Sequence, residues 1–358
     1  MSLFRMFVKD AWTLNQRAIA NFPLYAGQFG DDYLELHYSR FYSYEIPSNI
    51  NIGDWCGVYD QFGRVWYGGI IDEINGDEIG VRSMLSEFDN DSLLNWANTG
   101  IPYTEQKVKS MIDNFFIANG YHNRQIGNAM TITADSSTQQ VELRPVSDKN
   151  TIQNIYNIIK EQIDAFGIYP YISLPYAATN VLVSIRTTNK SKITIANNAS
   201  CILNPTIQEG DIPINTLITK TNYSDGTFSM VGHVLNTDGT YQQTSALMNL
   251  ALCFQKVRIK YAEIADGEEY TGFTQQQMPP LIYNHEINFD LLLDNNLYDF
   301  SSWELGMPMD IWINGQYYDT IMTGWETSFE NGGAPSIVRI TCGTSRTKLT
   351  EVLNNATQ

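Results

Sequence analysis

The side chains that most often carry chemistry are sparse in this sequence, and none stands at a spacing that a reaction requires. Four cysteines, Cys56, Cys201, Cys253 and Cys342, lie far apart with no C-x-x-C pair among them. A structural zinc needs closely spaced Cys and His ligands, so these read as small buried hydrophobes in a reducing compartment. The histidines His37, His122, His233 and His285 are scattered, and none has a Ser or Cys in a nucleophile setting. Gly-rich phosphate loops, a G-x-S-x-G elbow and an H-E-x-x-H pair are all missing. Acidic neighbours such as Asp72-Glu73 and Glu268-Glu269 occur, but adjacent strand residues point to opposite faces and do not converge as a glycosidase pair must. The run Phe88 to Ser92, FDNDS, opens like a calcium loop yet lacks its glycine and distant Glu, so it reads as a cap or turn. No catalytic, cofactor-binding or metal-ligating residue is assigned, and an enzyme is not expected.

What the sequence does contain is a repetition. NIGDWCGVYDQFGRVWYGGIIDEINGDEIGVR, Asn51 to Arg82, is echoed by ELGMPMDIWINGQYYDTIMTGWETSFENGGAPSIVR, Glu304 to Arg339. Gly53 matches Gly306 at a distance of 253 residues, Gly63 matches Gly315 at 252, and Val81 matches Val338 at 257. Near-constant spacing of three landmarks indicates a duplicated β unit, though two copies are not a repeat array. Trp55, Trp66, Trp312 and Trp325 lie on strands of this unit at equivalent or nearly equivalent places. Exposed aromatics form sugar platforms, but core filling or subunit contact is the simpler reading.

Composition narrows the class. At 358 residues with 43% hydrophobic and 17% charged side chains, the chain has enough apolar residues for two or three packed domains. Its 22 Lys and Arg against 39 Asp and Glu leave a net charge of −17, which argues against a protein built to grip phosphate backbones. No apolar run of 18 residues occurs and the N-terminus does not read as a signal peptide, so a soluble chain made in the cytosol is expected, with no membrane segment.

The order of elements follows from periodicity. Residues 31–82 alternate as strands, with a hairpin signal at Asn75-Gly76. Two stretches have helical spacing. The first carries Val108, Met111, Ile112 and Phe115 between Thr104 and Gly120; the second carries Ile155, Ile158, Ile159 and Ile163, capped by Thr151 and ended by Gly167. Strands YPYISLP and VLVSIRT follow, then hairpin-like sequence with turns at Asp225-Gly226 and Asp238-Gly239. Residues 245–265 fit neither period. The last unit is strand, hairpin over Asn314-Gly315, strand and helix, and SMLSEFDNDSLLNWA is expected to be the helix that ends the first. The expected fold is mainly β with an α+β insertion: two similar small β-barrels per chain plus smaller intervening domains. Residues 1–96 would form the first barrel unit and 97–190 an inserted α+β domain with two helices. Residues 191–280 would be a hairpin-rich connecting domain completing the barrels, and 281–358 the second barrel unit with its C-terminal helix.

The segment YNHEINFDLLLDNNLYDFSSWELGMPMDIWINGQYYDTIMTGWETSF, with IVRITCGTSRTKLTEVL after it, resembles the tail-hub, or tail-associated baseplate hub, proteins of long-tailed bacteriophages. NIGDWCGVYDQFGRVWYGGIIDEI resembles the first barrel of the same family. The resemblance follows the chain end to end, is sharpest over 283–350 and weakest over 190–280, and rests on shape-like motifs without a catalytic signature. It implies a homotrimeric ring at the tail tip in which two barrels per chain present six similar surfaces, adapting six-fold tail symmetry to three-fold tip symmetry and closing or lining the DNA channel. Implied partners are a distal tail protein ring, the tape measure protein and receptor-binding or fibre proteins, in a virion assembled in the bacterial cytoplasm. No specific nucleic-acid binding is expected. The acidic balance suits a channel wall that does not hold DNA, and equally suits mere solubility. Because the chain stops soon after the second barrel, a short hub without its own enzyme is expected. The alternative is a receptor-binding tail protein that recognises host-surface carbohydrate.

Overall fold

A computed structural model describes residues 3–11, 13, 16–33, 36–89, 91–94, 106, 108–110, 112–113, 130–134, 151–166, 168–174, 181–187, 192–196, 199–209, 214–235, 241–244, 259–267, 273–278 and 285–343. The fold is mainly β, with long antiparallel strands and few helices. The first seven strands are β1 (Phe4–Lys9), β2 (Gln16–Leu24), β3 (Ala26–Asp32), β4 (Tyr38–Tyr42), β5 (Trp55–Asp60), β6 (Val65–Asn75) and β7 (Glu78–Ser83). They lie side by side in the order β3-β4-β7-β6-β5-β1-β2. This sheet curls: Phe4 on β1 reaches back to within a ring distance of 6.4 Å from Phe29 on β3, although four strands lie between the two in the sheet order. Phe4, Met6 and Val8 turn into the core so formed with Phe29, Phe41 and Val58, whereas Phe7, on the opposite face of β1, packs in a neighbouring core.

The middle of the chain supplies β8 (Asp91–Leu94), β9 (Met130–Ala134), β10 (Thr151–Asn154), helix α1 (Ile155–Phe166), β11 (Ile168–Ser173), β12 (Val181–Thr187), β13 (Ile193–Ile195) and β14 (Ile202–Glu209). Strands β11, β12 and β9 form a small sheet beside α1, and β8 pairs with β10. Ile155, Ile158, Ile159 and Ile163 are all buried, as their spacing predicts. Burying each contributes roughly 1.5–3 kcal/mol, so this stripe, more than its cap at about 1 kcal/mol, sets the helix in place. The cap itself is a correction: residues 151–154 are a strand, and Asn154, not Thr151, accepts the backbone N–H of Asn157 through its side-chain oxygen, at 3.1 Å. Gln106, Val108–Ser110 and Ile112–Asp113 are helical, with Val108 and Ile112 buried. Thr104, Met111, Phe115, Gly120 and Gly167 lie outside the described residues.

Four further strands, β15 (Thr216–Asn222), β16 (Phe228–Leu235), β17 (Tyr241–Thr244) and β18 (Ile259–Ala265), form a sheet of their own in the order β17-β16-β15-β18. Residues 259–265 are thus strand, and β18 runs parallel to β15. Gly226 has φ +83° and closes the β15–β16 hairpin. After the short helix α2 (Phe273–Gln277) come β19 (His285–Leu292), β20 (Pro308–Ile313), β21 (Gln316–Phe329) and β22 (Ile337–Gly343). Burial alternates strictly along β19, with Ile287, Phe289 and Leu291 inward. Residues 193–209 do not form a hairpin with each other: β14 pairs with β19 and β13 with β20, joining the second unit.

The expected helix over SMLSEFDNDSLLNWA is a second correction. Met84–Phe88 is one 3₁₀ turn, started by the Ser83 side chain accepting from the Leu85 N–H, and Asp91–Leu94 is strand. Pairing with β10 outweighs the helical spacing there. The expected C-terminal helix lies outside the described residues.

Candidate functional site at the seam between the two units

The two halves of the repetition are built alike in register as well as in order. Gly53 donates its N–H to the Ile71 carbonyl at 2.7 Å, and Gly306 donates to the Met322 carbonyl at 2.8 Å. Both glycines have positive φ, +89° and +76°. One residue on, Ile71 N–H returns to Asp54 and Met322 N–H to Met307. A bulge then follows at the same place in each long strand, between Ile71 and Glu73 in β6 and between Met322 and Gly324 in β21. The bulged side chains both reach the next strand: Asp72 pairs with Arg82 at 2.8 Å, and the Thr323 hydroxyl donates to the Gly343 carbonyl at 2.9 Å.

The hairpin tips differ. Gly63, φ +79°, sits in the longer β5–β6 loop, while Asn314 and Gly315, φ +53° and +77°, form the two-residue turn of β20–β21. Ile71 faces Val81, and its counterpart Met322 faces Cys342; Val338 lies four residues earlier on β22, opposite Thr327. The tryptophans are not register mates. Trp55 stands where the other unit has Pro308, and Trp325 where it has Ile74. Trp55 is buried, Trp66 and Trp325 are half-buried, and Trp312 is exposed beside Tyr317.

The units meet at a seam of main chain. β3 pairs antiparallel with β21, with Asp31 opposite Trp325 and Gly27 opposite Phe329, so one continuous sheet passes from the first unit to the second. Leu3 N–H to Gly332 O at 2.9 Å and Gly332 N–H to Tyr25 O at 2.7 Å stitch one end of the seam. At the other end, Tyr33 N–H donates to Thr323 O, and the Tyr156 hydroxyl of α1 donates to Tyr33 O at 2.9 Å, tying in that helix.

Beside this seam lies a cavity of about 230 Å³, walled by β6 and β7, by β11, by residues 300–305 and by Trp325. Asp31 lines it and accepts a hydrogen bond from the Ser83 hydroxyl at 2.9 Å. Burial lifts the Asp31 carboxyl to about 7; the Ser83 bond opposes the rise and the charge of Asp32 adds to it. Tyr67 and Tyr169, buried nearby, are pushed well above the usual phenol range by desolvation and then by Asp31. Arg64 lies 4.3 Å from the Trp66 ring, whose indole N–H donates to Asp60 at 2.9 Å. Arg186 pairs with Glu304 at 3.2 Å.

Among the described residues no three His, Cys, Asp or Glu side chains converge on a metal position. Cys56, Cys201 and Cys342 are buried and free, and burial raises the Cys56 and Cys342 thiols far above their ordinary range. His285 is buried against Tyr318, and burial lowers His37; Cys253 and His122 lie outside the described residues. The seam and its cavity were not singled out from sequence. Their one local signal is the glycine spacing in AGQFGDD, where a strand keeps Gly27 and Gly30 for close approach of another backbone.

No protein-family model and no curated protein sequence matches the chain. Solved structures do. A prophage tail protein, gp18, from Listeria monocytogenes superposes with a TM-score of 0.55 at 11% identity, over 99% of this chain and 98% of that one. A tail protein from Neisseria meningitidis gives 0.55 at 10% identity, covering 95% and 96%. The 43 kDa tail protein of prophage MuSo2 from Shewanella oneidensis gives 0.53 at 10%, covering 95% and 98%. Coverage is near-complete on both sides, and the chain has the fold of these tail proteins.

Proposed function

We propose that this protein is a structural component of a bacteriophage tail, a hub at the tail tip that works by assembly and needs no active site. The observation that carries this is the end-to-end likeness in fold to three prophage and bacterial tail proteins, at TM-scores of 0.53 to 0.55. Two register-matched hairpin units in one chain support the finer reading. Each unit is half of a pair of small barrels, and three chains closed into a ring would offer six similar surfaces above and three-fold symmetry below. Such a ring docks a distal tail protein ring and the tape measure protein on one side and receptor-binding or fibre proteins on the other, at the tip of the virion. A net charge of −17 suits a wall past which DNA slides without being held.

Particle mass by light scattering across a concentration series, with negative-stain imaging, tests the reading. A closed ring of about 120 kDa from 40.6 kDa chains is expected, alone or on adding the distal tail protein. A chain that stays monomeric with that protein present refutes the ring. Tight DNA binding at low salt refutes the channel role.

A further inference from the structure

We infer that the cleft beside the seam binds a short uncharged oligosaccharide. The 230 Å³ cavity does not stand alone. Arg64, Trp66, Phe300 and Ser301 also line a second, more open groove of about 630 Å³, whose far wall is the loop from Leu293 to Tyr298 with Ala334 and Pro335. The two recesses therefore form one cleft folded around the Arg64–Trp66 pair, in the size class of small-molecule sites, about 300–1,000 Å³.

Its walls match a sugar ring. Trp303 and the half-buried Trp325 line it and offer apolar surface for the hydrogen-bearing face of a pyranose. The Asp31 carboxyl, the Glu304 carboxylate and the Arg64 guanidinium also line it, suited to accept from and donate to adjacent hydroxyls. Charge decides the class of sugar. Asp294, Asp299 and Glu304 line the cleft, and Arg64, which lines it too, stands beside Asp299 and Asp60. An anionic sugar would meet a negative wall. A cationic one finds the ring faces of Trp66 and Tyr171 already covered, by Arg64 at 4.3 Å and Arg186 at 5.1 Å. An uncharged glycan meets neither penalty. This inference does not depend on the ring, since one chain supplies the whole cleft.

The experiment is a titration of the full-length protein with maltotriose, N-acetylchitotriose and tri-galacturonic acid, followed by intrinsic tryptophan fluorescence. A saturable change with one of the two neutral trisaccharides, weakened about tenfold in Arg64→Ala and Glu304→Gln, is expected. Both side chains are partly exposed, so the variants should keep the parent unfolding midpoint, which is checked alongside. Silence of both neutral probes up to about 10 mM, equal affinity in both variants, or preference for the galacturonate would each overturn the assignment.

Discussion

Gly30 on β3 passes so close to Trp325 on β21 that a Cβ at Gly30 would lie 2.1 Å from the Trp325 carbonyl oxygen and 2.9 Å from Glu326 Cα. Both obstacles are backbone, so neither can rotate away, and any side chain at Gly30 must push the two units apart. Gly30→Ala should therefore cost about 2–4 kcal/mol of unfolding free energy. Gly63→Ala provides the contrast. Gly63 needs only its positive φ of +79° and has open space around it, so its replacement should cost about 1 kcal/mol. Denaturant midpoints of the two variants decide the matter. Equal losses would mean that the seam is not the tight joint described.

Asn154→Ala should destabilise the protein by about 1 kcal/mol, because the side-chain oxygen of Asn154 satisfies the Asn157 N–H at the start of α1. Thr151→Ala should cost less, since Thr151 is in a strand four residues before the first residue of the helix. If urea unfolding ranks them the other way, α1 starts a turn earlier than described.

These cases show what periodicity could and could not disclose. The alternation of Ile287, Phe289 and Leu291, and the Asn314-Gly315 turn, were legible because each is decided within a few residues. The strand at Asp91–Leu94 was not, because its partner β10 lies some 60 residues away and a short apolar run fits helix or strand alike. Nor could period-two patterns tell that β13 and β14 pair with β20 and β19 instead of each other. The cleft was least legible of all. Asp31, Arg64, Tyr171, Glu304 and Trp325 come from five separate stretches, and only the tryptophans stood out as residues worth weighing.

The buried thiols make a simple chemical prediction. Cys56, Cys201 and Cys342 are each no more than 3% exposed, and burial disfavours the Cys56 and Cys342 thiolates. Since the thiolate is the nucleophile, all three should resist iodoacetamide in the folded protein at pH 8 and react fully in denaturant. Peptide mapping by mass spectrometry reads each site separately. Rapid native labelling of Cys342 would contradict its packing, 3.5 Å from the Met309 sulfur.

Asp31 gives the seam a pH dependence whose sign can be worked out. Its carboxyl rises from an ordinary 3.8 to about 7 in the folded protein, so the folded state holds a proton that the unfolded chain releases at lower pH. Stability then decreases as pH rises between about 4 and 7 and levels off above, because over that interval the unfolded state binds fewer protons. The contribution should amount to a few kcal/mol at most. Asp31→Asn keeps an oxygen to accept from Ser83 but cannot ionise. The stability difference between wild type and this variant should therefore change between pH 5 and pH 8, with the variant gaining relative to wild type as pH rises. Parallel curves from urea titrations at the two pH values would mean that Asp31 is already charged at pH 5. In that case the carboxylate must be solvated through the cleft or held by partners stronger than Ser83, and burial at the seam would not govern its protonation.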